Sequence, residues 1–303
     1  MDFERHGKGV GEAAWLFSHS ELNSCDEKYS ARQTHMVTGP EPRFIDSLRQ
    51  REFVVDDLVL DGHAHCGVTV PFEEIAYEWQ TGGIHGGVIF SPVEEIYDRY
   101  DPLFKDSQGY RHSRSRVHKY LLEIASRENI FPYFFVWNDF SPIPDKFVGI
   151  KWHRHSGEPV YSYGTAPCLK IIDDICGRRL PIVLEEEFHH TLRFIKEIAE
   201  RTAVIIPHMG ALNGGYSQLK RAKVFDNERV WVDTALAGVH EIRDFADTYG
   251  AERIIFGSDY PFGVPASEKR KLLRSFSEDD LRGILSGNLL RLLGREAQPE
   301  SAD

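Results

Sequence analysis

The sequence predicts an α/β protein built as a distorted (β/α)8 TIM barrel that follows an N-terminal extension. Two observations lead to this prediction. Eight short runs of β-branched and aromatic residues recur along the chain, separated by longer segments in which apolar residues repeat at helical spacing. The runs are nearly continuous rather than alternating, as in parallel strands covered on both faces. Eight is the number of strands that closes such a barrel.

The barrel elements can be placed in order along the chain. The predicted strands lie near residues 54–65, 86–91, 130–137, 147–155, 180–187, 202–210, 229–235 and 252–262, and helical patterns fall at 71–80, 115–129, 189–202 and 238–250. The segment 137–146 is short and rich in proline, so the helix of that unit is expected to be missing or reduced to a turn. We therefore assign 53–295 to the barrel, 1–52 to the extension and 296–303 to a disordered tail.

The net charge and the distribution of apolar residues indicate which kinds of partner the chain is unsuited to bind. The formal net charge is −11, which argues against a dedicated nucleic-acid binder, because phosphate contact requires concentrated lysine and arginine. No run approaches the roughly 18 consecutive apolar residues of a membrane helix, and residues 1–20 lack the apolar centre of a signal peptide. We expect a cytoplasmic protein that acts on a small molecule and binds neither nucleic acid nor membrane.

Polar residues that suit metal binding follow three of the predicted strands. The first strand ends in Asp61, His63 and His65, and alternation puts all three on one face, so that both imidazoles can reach one cation. His208 follows the sixth strand and Asp259 follows the eighth. Because the active site of such a barrel lies at the C-terminal ends of its strands, these side chains are expected to converge.

With these residues in place, the chain resembles the amidohydrolase superfamily, and more closely its amidohydrolase-2 branch of metal-dependent barrel hydrolases and decarboxylases. The resemblance covers roughly residues 55–294 and rests on DGHAH at 61–65, GIKWH at 149–153, PHMG at 207–210, FGSDYP at 256–261 and a closing helix at 284–293. It implies a divalent metal held by His63, His65 and Asp259, and a water activated between the metal and that carboxylate.

The end of the fifth strand departs from the pattern that the resemblance implies. The family usually places a histidine there, whereas this chain reads LPIVLE at 180–185, so Glu185 stands in its place. A carboxylate is a good ligand for Zn²⁺ or Mn²⁺, and its added negative charge favours Mn²⁺. We predict Glu185 as the fourth ligand. The alternative is that His189 or His190 bends back into the site, although both suit the start of the next helix.

The fourth strand and a basic tract supply candidate substrate contacts. Lys151 and His153 share one face of the strand, and we interpret them as hydrogen-bond donors to substrate. Arg111 belongs to the tract YRHSRSR at 110–116, which is basic in an acidic chain and suits an anionic substrate or solvated surface. Some superfamily members carboxylate a lysine on this strand to bridge two metals, so a binuclear site stays open beside the single Zn²⁺ or Mn²⁺ ion that we favour.

The predicted function is metal-dependent hydrolysis of an ester, lactone or amide bond in a small, carboxylate-bearing molecule. Asp259 is expected to take the proton of the activated water, while His208 polarises the scissile carbonyl. The alternative reaction at the same site is nonoxidative decarboxylation of an aromatic or unsaturated acid. A barrel that binds without turnover and a barrel nuclease are weaker hypotheses. A homodimer is the oligomeric state that we expect.

Overall fold

The strands observed are those that the sequence predicts. The computed structural model describes residues 58–295, so the predictions for 1–52 and 296–303 lie outside the described residues. Eight parallel strands pair in chain order, each with the next. They are β1 (Asp61–His65), β2 (Gly87–Phe90), β3 (Ile130–Phe135), β4 (Gly149–His153), β5 (Ile182–Glu185), β6 (Val204–Ile206), β7 (Val230–Asp233) and β8 (Ile254–Ile255). The expected distorted (β/α)8 barrel is confirmed.

The barrel closes between β8 and β1 through the backbone that follows β8. The Gly62 N–H donates to the Phe256 carbonyl at 2.7 Å, and the Asp259 N–H donates to the His63 carbonyl at 2.8 Å. Gly257 allows this approach, because a Cβ there would stand 2.9 Å from the Cβ of His63. The residues after β8 are thereby held directly against the histidines of β1.

The helices lie between the strands, with α1 to α9 numbered in chain order. They are α1 (Phe72–Gly82), α2 (Gln108–Ile124), α3 (Ala166–Gly177), α4 (Phe188–Ile198), α5 (Tyr216–Arg221), α6 (Val239–Tyr249), α7 (Pro265–Leu273), α8 (Glu278–Arg282) and α9 (Asn288–Leu292). A π-helical turn at Gly283–Gly287 separates α8 from α9. Helix α2 begins seven residues before its predicted start, since the side chain of Ser107 accepts a hydrogen bond from the Tyr110 N–H and caps the helix there.

The unit between β3 and β4 has no helix within the described residues, as the proline-rich segment predicts. Its connection runs through Ser141, Pro142 and Pro144 and contains only turns and extended backbone. No described helix combines the length and the apolar character needed to cross a membrane.

The buried apolar side chains form two clusters that correspond to the two faces of the strands. In the larger cluster, Ile89 and Leu184 of the strands pack with Leu121 and Phe194 of the helices. In the smaller cluster, strand residues that alternate with these, such as Val183, fill the barrel interior. The C-terminal ends of the strands are where the interior becomes polar.

Candidate metal centre

Strand ends bring the predicted ligands together. The last residues of β1, β4 and β5 are His65, His153 and Glu185, while His208 and Asp259 lie two and four residues beyond the ends of β6 and β8. His63, His65 and Asp259 have ligand atoms close enough to share an ion, and we call these three residues the metal group. All three side chains are buried. The structure thus places the three residues predicted as core ligands on a common point.

The ligand distances suit a single ion. The Oδ1 atom of Asp259 lies 3.3 Å from Nε2 of His63 and 3.2 Å from Nε2 of His65. Ligand atoms of a tetrahedral ion with bonds of about 2.1 Å stand about 3.4 Å apart. The distances from Asp259 to the two histidines therefore match the separation that a small divalent ion requires, and all three ligand atoms lie within 4.8 Å of one another.

Hydrogen bonds at Nδ1 of His63 and of His65 determine which ring nitrogen is free to bind a metal. Nδ1 of His63 lies 2.7 Å from Oδ2 of Asp233, and Nδ1 of His65 lies 3.3 Å from the Ser91 carbonyl. Because both partners are acceptors, each Nδ1 carries a hydrogen, so that in the neutral ring, the form that binds metal, Nε2 presents its lone pair toward Asp259. Two lone pairs and a carboxylate facing one another need a cation between them, so the donor set fits a metal ion.

The charge around His63 supports the same conclusion. Burial and the Lys151 ammonium lower the pKa of His63, yet Asp233 and Asp259 outweigh them and raise it to about 9. Burial raises the pKa of Asp259, but the two histidines hold it far below its usual range. The pocket is built to favour positive charge at the point where Nε2 of His63 meets Asp259.

Both residues predicted to be catalytic are among the eight non-glycine residues of 58–295 that have left-handed backbone. His208 has a φ of 55° and Asp259 has a φ of 56°, both in the left-handed region. The strained turn at Asp259 is held by the N–H groups of Phe262 and Gly263, which donate to its carbonyl. Such backbone costs about 1–3 kcal/mol per residue and persists where the surroundings enforce it. Here it turns both side chains back toward β1.

His208 approaches the same volume from β6. Its ring centroid lies 4.8 Å from that of His63, and its Nδ1 lies 3.0 Å from the Ala235 carbonyl. Nε2 of His208 is 3.7 Å from Oε1 of Glu185. Burial lowers the pKa of His208, but the adjacent Glu185 carboxylate outweighs it, and the net pKa is raised. His208 is therefore placed between the metal group and the fifth strand.

Asp233 is a site residue that the sequence reasoning missed. Its Oδ2 orients His63, and its Oδ1 accepts hydrogen bonds from the His208 and Ala235 N–H groups. One carboxylate thus sets both the tautomer of His63 and the position of His208. The signal was available, because Asp233 ends the seventh apolar run as His65 ends the first.

Asp61 does not join the histidine pair that it was expected to accompany. The pairing of β1 with β2 shifts register between Asp61 and Ala64, and such a shift re-aims side chains. The Asp61 carboxylate instead accepts hydrogen bonds from Trp79 Nε1 and from the N–H and hydroxyl of Ser258. It ties β1 to α1 and to the turn that carries Asp259.

Glu185 approaches the same nitrogen of His63 as Asp259 does, but from a greater distance. Its Oε1 is 3.9 Å from Nε2 of His63 and contacts the Lys151 ammonium directly. Burial raises the pKa of Glu185, whereas Lys151 and His153 hold it well below its usual range. The role of Glu185 as a fourth ligand stays a prediction.

The other oxygen of Glu185 faces the histidines of and after β4. Oε2 lies 3.2 Å from Nε2 of His153 and 2.8 Å from Nε2 of His155. Arg99 Nη2 lies 2.9 Å from Nδ1 of His155, and a guanidinium can only donate, so His155 carries its hydrogen on Nε2. His155 therefore donates to Glu185 and offers no lone pair toward the metal group.

The remaining predicted residues lie apart from this centre. Arg111 is exposed on α2, where its Nε lies 2.8 Å from Oδ2 of Asp106. Within residues 58–295 it makes no contact with His63, His65 or Asp259. His189 and His190 lie in the first turn of α4. They therefore form the start of that helix, as the sequence suggested, and do not bend back into the site. The substrate roles predicted for Lys151, His153 and Arg111 stay predictions.

Three solved structures illustrate what the fold is similar to. A 5-carboxyvanillate decarboxylase from Sphingomonas paucimobilis is 9% identical, with 78% of this chain and 99% of that chain covered and a TM-score of 0.61. A candidate 2-pyrone-4,6-dicarboxylic acid hydrolase from Pseudomonas putida is 14% identical, with 80% and 99% covered and a TM-score of 0.59. A dihydroxybenzoic acid decarboxylase from Polaromonas sp. JS666, with bound manganese and the inhibitor 2-nitroresorcinol, is 15% identical, with 82% and 99% covered and a TM-score of 0.56. At these identities the likeness shows a shared fold.

Comparison by sequence gives the family. No curated protein matches the chain significantly. The family model described as amidohydrolase matches residues 145–295, which include Lys151, Glu185, His208 and Asp259. The family is metal-dependent, and a structural neighbour holds manganese. The resemblance deduced from the strand-end motifs is confirmed, and the chain belongs to the amidohydrolase family.

Proposed function

We propose that this chain is a metal-dependent hydrolase that cleaves an ester, lactone or amide bond of a small, carboxylate-bearing molecule with water. His63, His65 and Asp259 would hold one Zn²⁺ or Mn²⁺ ion. A divalent ion supplies Lewis acidity, which acidifies water and polarises a carbonyl. The carboxylate-bearing substrate class is supported by the neighbours, since their names refer to a dicarboxylic acid and to substituted benzoic acids.

The observation that carries the proposal is the state of the Asp259 carboxylate. Its Oδ1 faces both histidines, whereas its Oδ2 accepts no hydrogen bond within residues 58–295. The left-handed backbone holds the side chain in that position. Oδ2 is thus available to take a proton from an attacking water and to return it to the leaving group.

His208 is placed to stabilise the oxyanion. Since its Nδ1 is engaged with the Ala235 carbonyl, it can donate from Nε2 only as an imidazolium. The adjacent Glu185 favours that form. A donor fixed in this way, inside a buried pocket, stabilises negative charge that develops on a carbonyl oxygen.

The test is hydrolysis of an ester and lactone panel in ¹⁸O-labelled water by metal-free and Mn²⁺-loaded or Zn²⁺-loaded protein. We expect metal-dependent turnover with label in the acid product. Asp259→Asn should abolish most of this turnover, while His155→Gln serves as the matched control at a histidine that binds no ion. Equal activity with and without metal would contradict the proposal.

The second candidate is nonoxidative decarboxylation of an aromatic acid at the same site. It is favoured by the decarboxylases among the structural neighbours. In this reaction Asp259 would take a proton from water and pass it to the ring carbon as the bond to the carboxylate breaks and carbon dioxide leaves. Metal-dependent release of carbon dioxide from hydroxybenzoate-type acids, with no label entering product from water, would replace the hydrolase proposal by this one.

A further inference from the structure

Four groups of histidines and carboxylates within residues 58–295 have the spacing of cation sites. One of them, at the start of α4, is partly exposed, and the other three surround the strand ends. These three are His63 with His65 and Asp259, His63 with Glu185 and His208, and His153 with His155 and Glu158. The three groups differ in what lies between their members. Two of them already contain a side-chain cation.

The cation in the second group is the ammonium of Lys151. Its Nζ contacts Oε1 of Glu185, lies 3.4 Å from Nε2 of His63 and stands 4.5 Å from the centre of the Phe90 ring. The Lys151 side chain is fully buried. Lys151 is therefore held in the barrel interior beside the metal group.

The cation in the third group is the guanidinium of Arg99. Its Nη2 lies 2.6 Å from Oε1 of Glu158 and 2.9 Å from Nδ1 of His155. Tyr97 donates a further hydrogen bond to Oε2 of Glu158 at 2.7 Å. The charge of this group is balanced within the chain. In the group of His63, His65 and Asp259, the carboxylate contacts no lysine or arginine within residues 58–295, and the Lys151 ammonium reaches this group only at Nε2 of His63, at 3.4 Å.

We propose that the Lys151 ammonium takes the place of a second metal ion, so that the chain binds one divalent ion and Glu185 serves as the counter-ion of the lysine. The proposal rests on the metal dependence proposed above. A second divalent ion beside Glu185 would meet the positive charge at short range, where burial makes repulsion strong. A protonated amine also has no lone pair with which to form a carbamate.

This assignment explains why a glutamate stands at the end of β5. A fully buried lysine needs an anion beside it, because an unpaired charge in the interior is strongly unfavourable. A histidine at position 185 could not supply that charge. Residues 151 and 185 therefore form one unit, and His153 and His155 hold its outer oxygen in place.

The test counts Mn²⁺ ions per chain by plasma mass spectrometry and by electron paramagnetic resonance, which separates isolated from coupled Mn²⁺. Wild type should bind one ion. Lys151→Met should bind two, because Glu185 Oε1 loses its cation and can then hold a second ion together with His208 Nε2, which lies 3.7 Å away. The matched double variant Lys151→Met/Glu185→Gln should return to one ion, since the anion is then gone.

Each result separates this inference from the proposed function. Two coupled ions in wild type, or a single ion in folded Lys151→Met, would overturn the role of Lys151 and leave metal dependence intact. No ion in wild type after reconstitution would overturn the proposed function as well. If Lys151→Met does not fold, wild type labelled with ¹³C-bicarbonate decides: a lysine carbamate signal overturns the inference, and one ion without that signal supports it.

Discussion

The pattern His-x-His occurs twice at the strand ends, and the two copies differ in what their outer nitrogens contact. In the copy that ends β1, Nδ1 of His63 and Nδ1 of His65 face acceptors, the Asp233 carboxylate and the Ser91 carbonyl. In the copy at and after the end of β4, Nδ1 of His155 faces a donor, the Arg99 guanidinium. Acceptors leave inward lone pairs for a metal, whereas the donor turns His155 into a hydrogen-bond donor. The identity of the ring does not decide its role; its hydrogen-bond partner does.

The largest expected effect comes from exchanging one histidine in each copy. His65→Gln should remove the bound ion and lower turnover on the order of 10³-fold, because Lewis acidity contributes several kcal/mol to such reactions. His155→Gln should keep one ion per chain. Metal content by plasma mass spectrometry and turnover of the best panel substrate check both variants. Equal metal loss in the two would remove the distinction between the copies.

Asp259→Asn tests the carboxylate that faces His63 and His65 and that we propose as the proton acceptor. At saturating Mn²⁺ we expect kcat to fall by roughly 10²- to 10⁴-fold, the range of general base catalysis. The amide is close in shape but cannot take the proton of water. The measurement is single-turnover hydrolysis at a metal concentration that fills the site. Turnover near that of wild type would exclude Asp259 as the base.

Asp233→Asn tests the contact that gives His63 its tautomer. The amide keeps an oxygen for the His208 and Ala235 N–H groups but places an NH₂ group against Nδ1 of His63. We expect Mn²⁺ affinity to fall by about 10- to 100-fold, measured by titration calorimetry. Unchanged affinity, in a protein with an unchanged melting temperature, would show that the tautomer is set elsewhere.

Arg99→Met tests the built-in cation of the other copy. It leaves Glu158 buried without its ion pair, and the expected loss in the free energy of unfolding is about 3 kcal/mol. The bound ion should be retained, since within the described residues Arg99 does not contact His63, His65 or Asp259. Urea unfolding and metal content measure the two quantities. A loss below about 1 kcal/mol would mean that Glu158 is stabilised without the arginine.

His118 provides a third case, a partly exposed histidine whose Nε2 is buried and has no hydrogen-bond partner among the described residues. Burial lowers its pKa to about 4. The unfolded chain therefore binds more protons between about pH 6.5 and 4, and stability is lost as the pH falls through that window. At pH 5 the loss from this residue amounts to about 2 kcal/mol. His118→Leu should reduce the difference in unfolding free energy between pH 7.5 and pH 5 by that amount; an unreduced difference would assign the acid sensitivity to other groups.

The sequence was sufficient for the barrel and for the residues that the metal group contains. Eight apolar runs gave eight strands, and the proline-rich segment gave the missing helix, because strand burial and proline geometry act locally. Asp233 could have been found by the same rule that found His65, since both end a strand. Asp61 could not be placed, because the register shift after it depends on how β1 pairs with β2.

Sequence by itself determined the order of the elements, the family and which side chains reach the C-terminal ends of the strands, since these follow from periodicity and from residue type. Only the tertiary structure decided which of the two His-x-His copies presents lone pairs and which anions are already neutralised. Those properties depend on Asp233, Arg99 and Lys151, which lie far from their partners in sequence and meet them only when the barrel closes. A charge or a tautomer is set by neighbours in space, and the pattern of a single strand does not contain them.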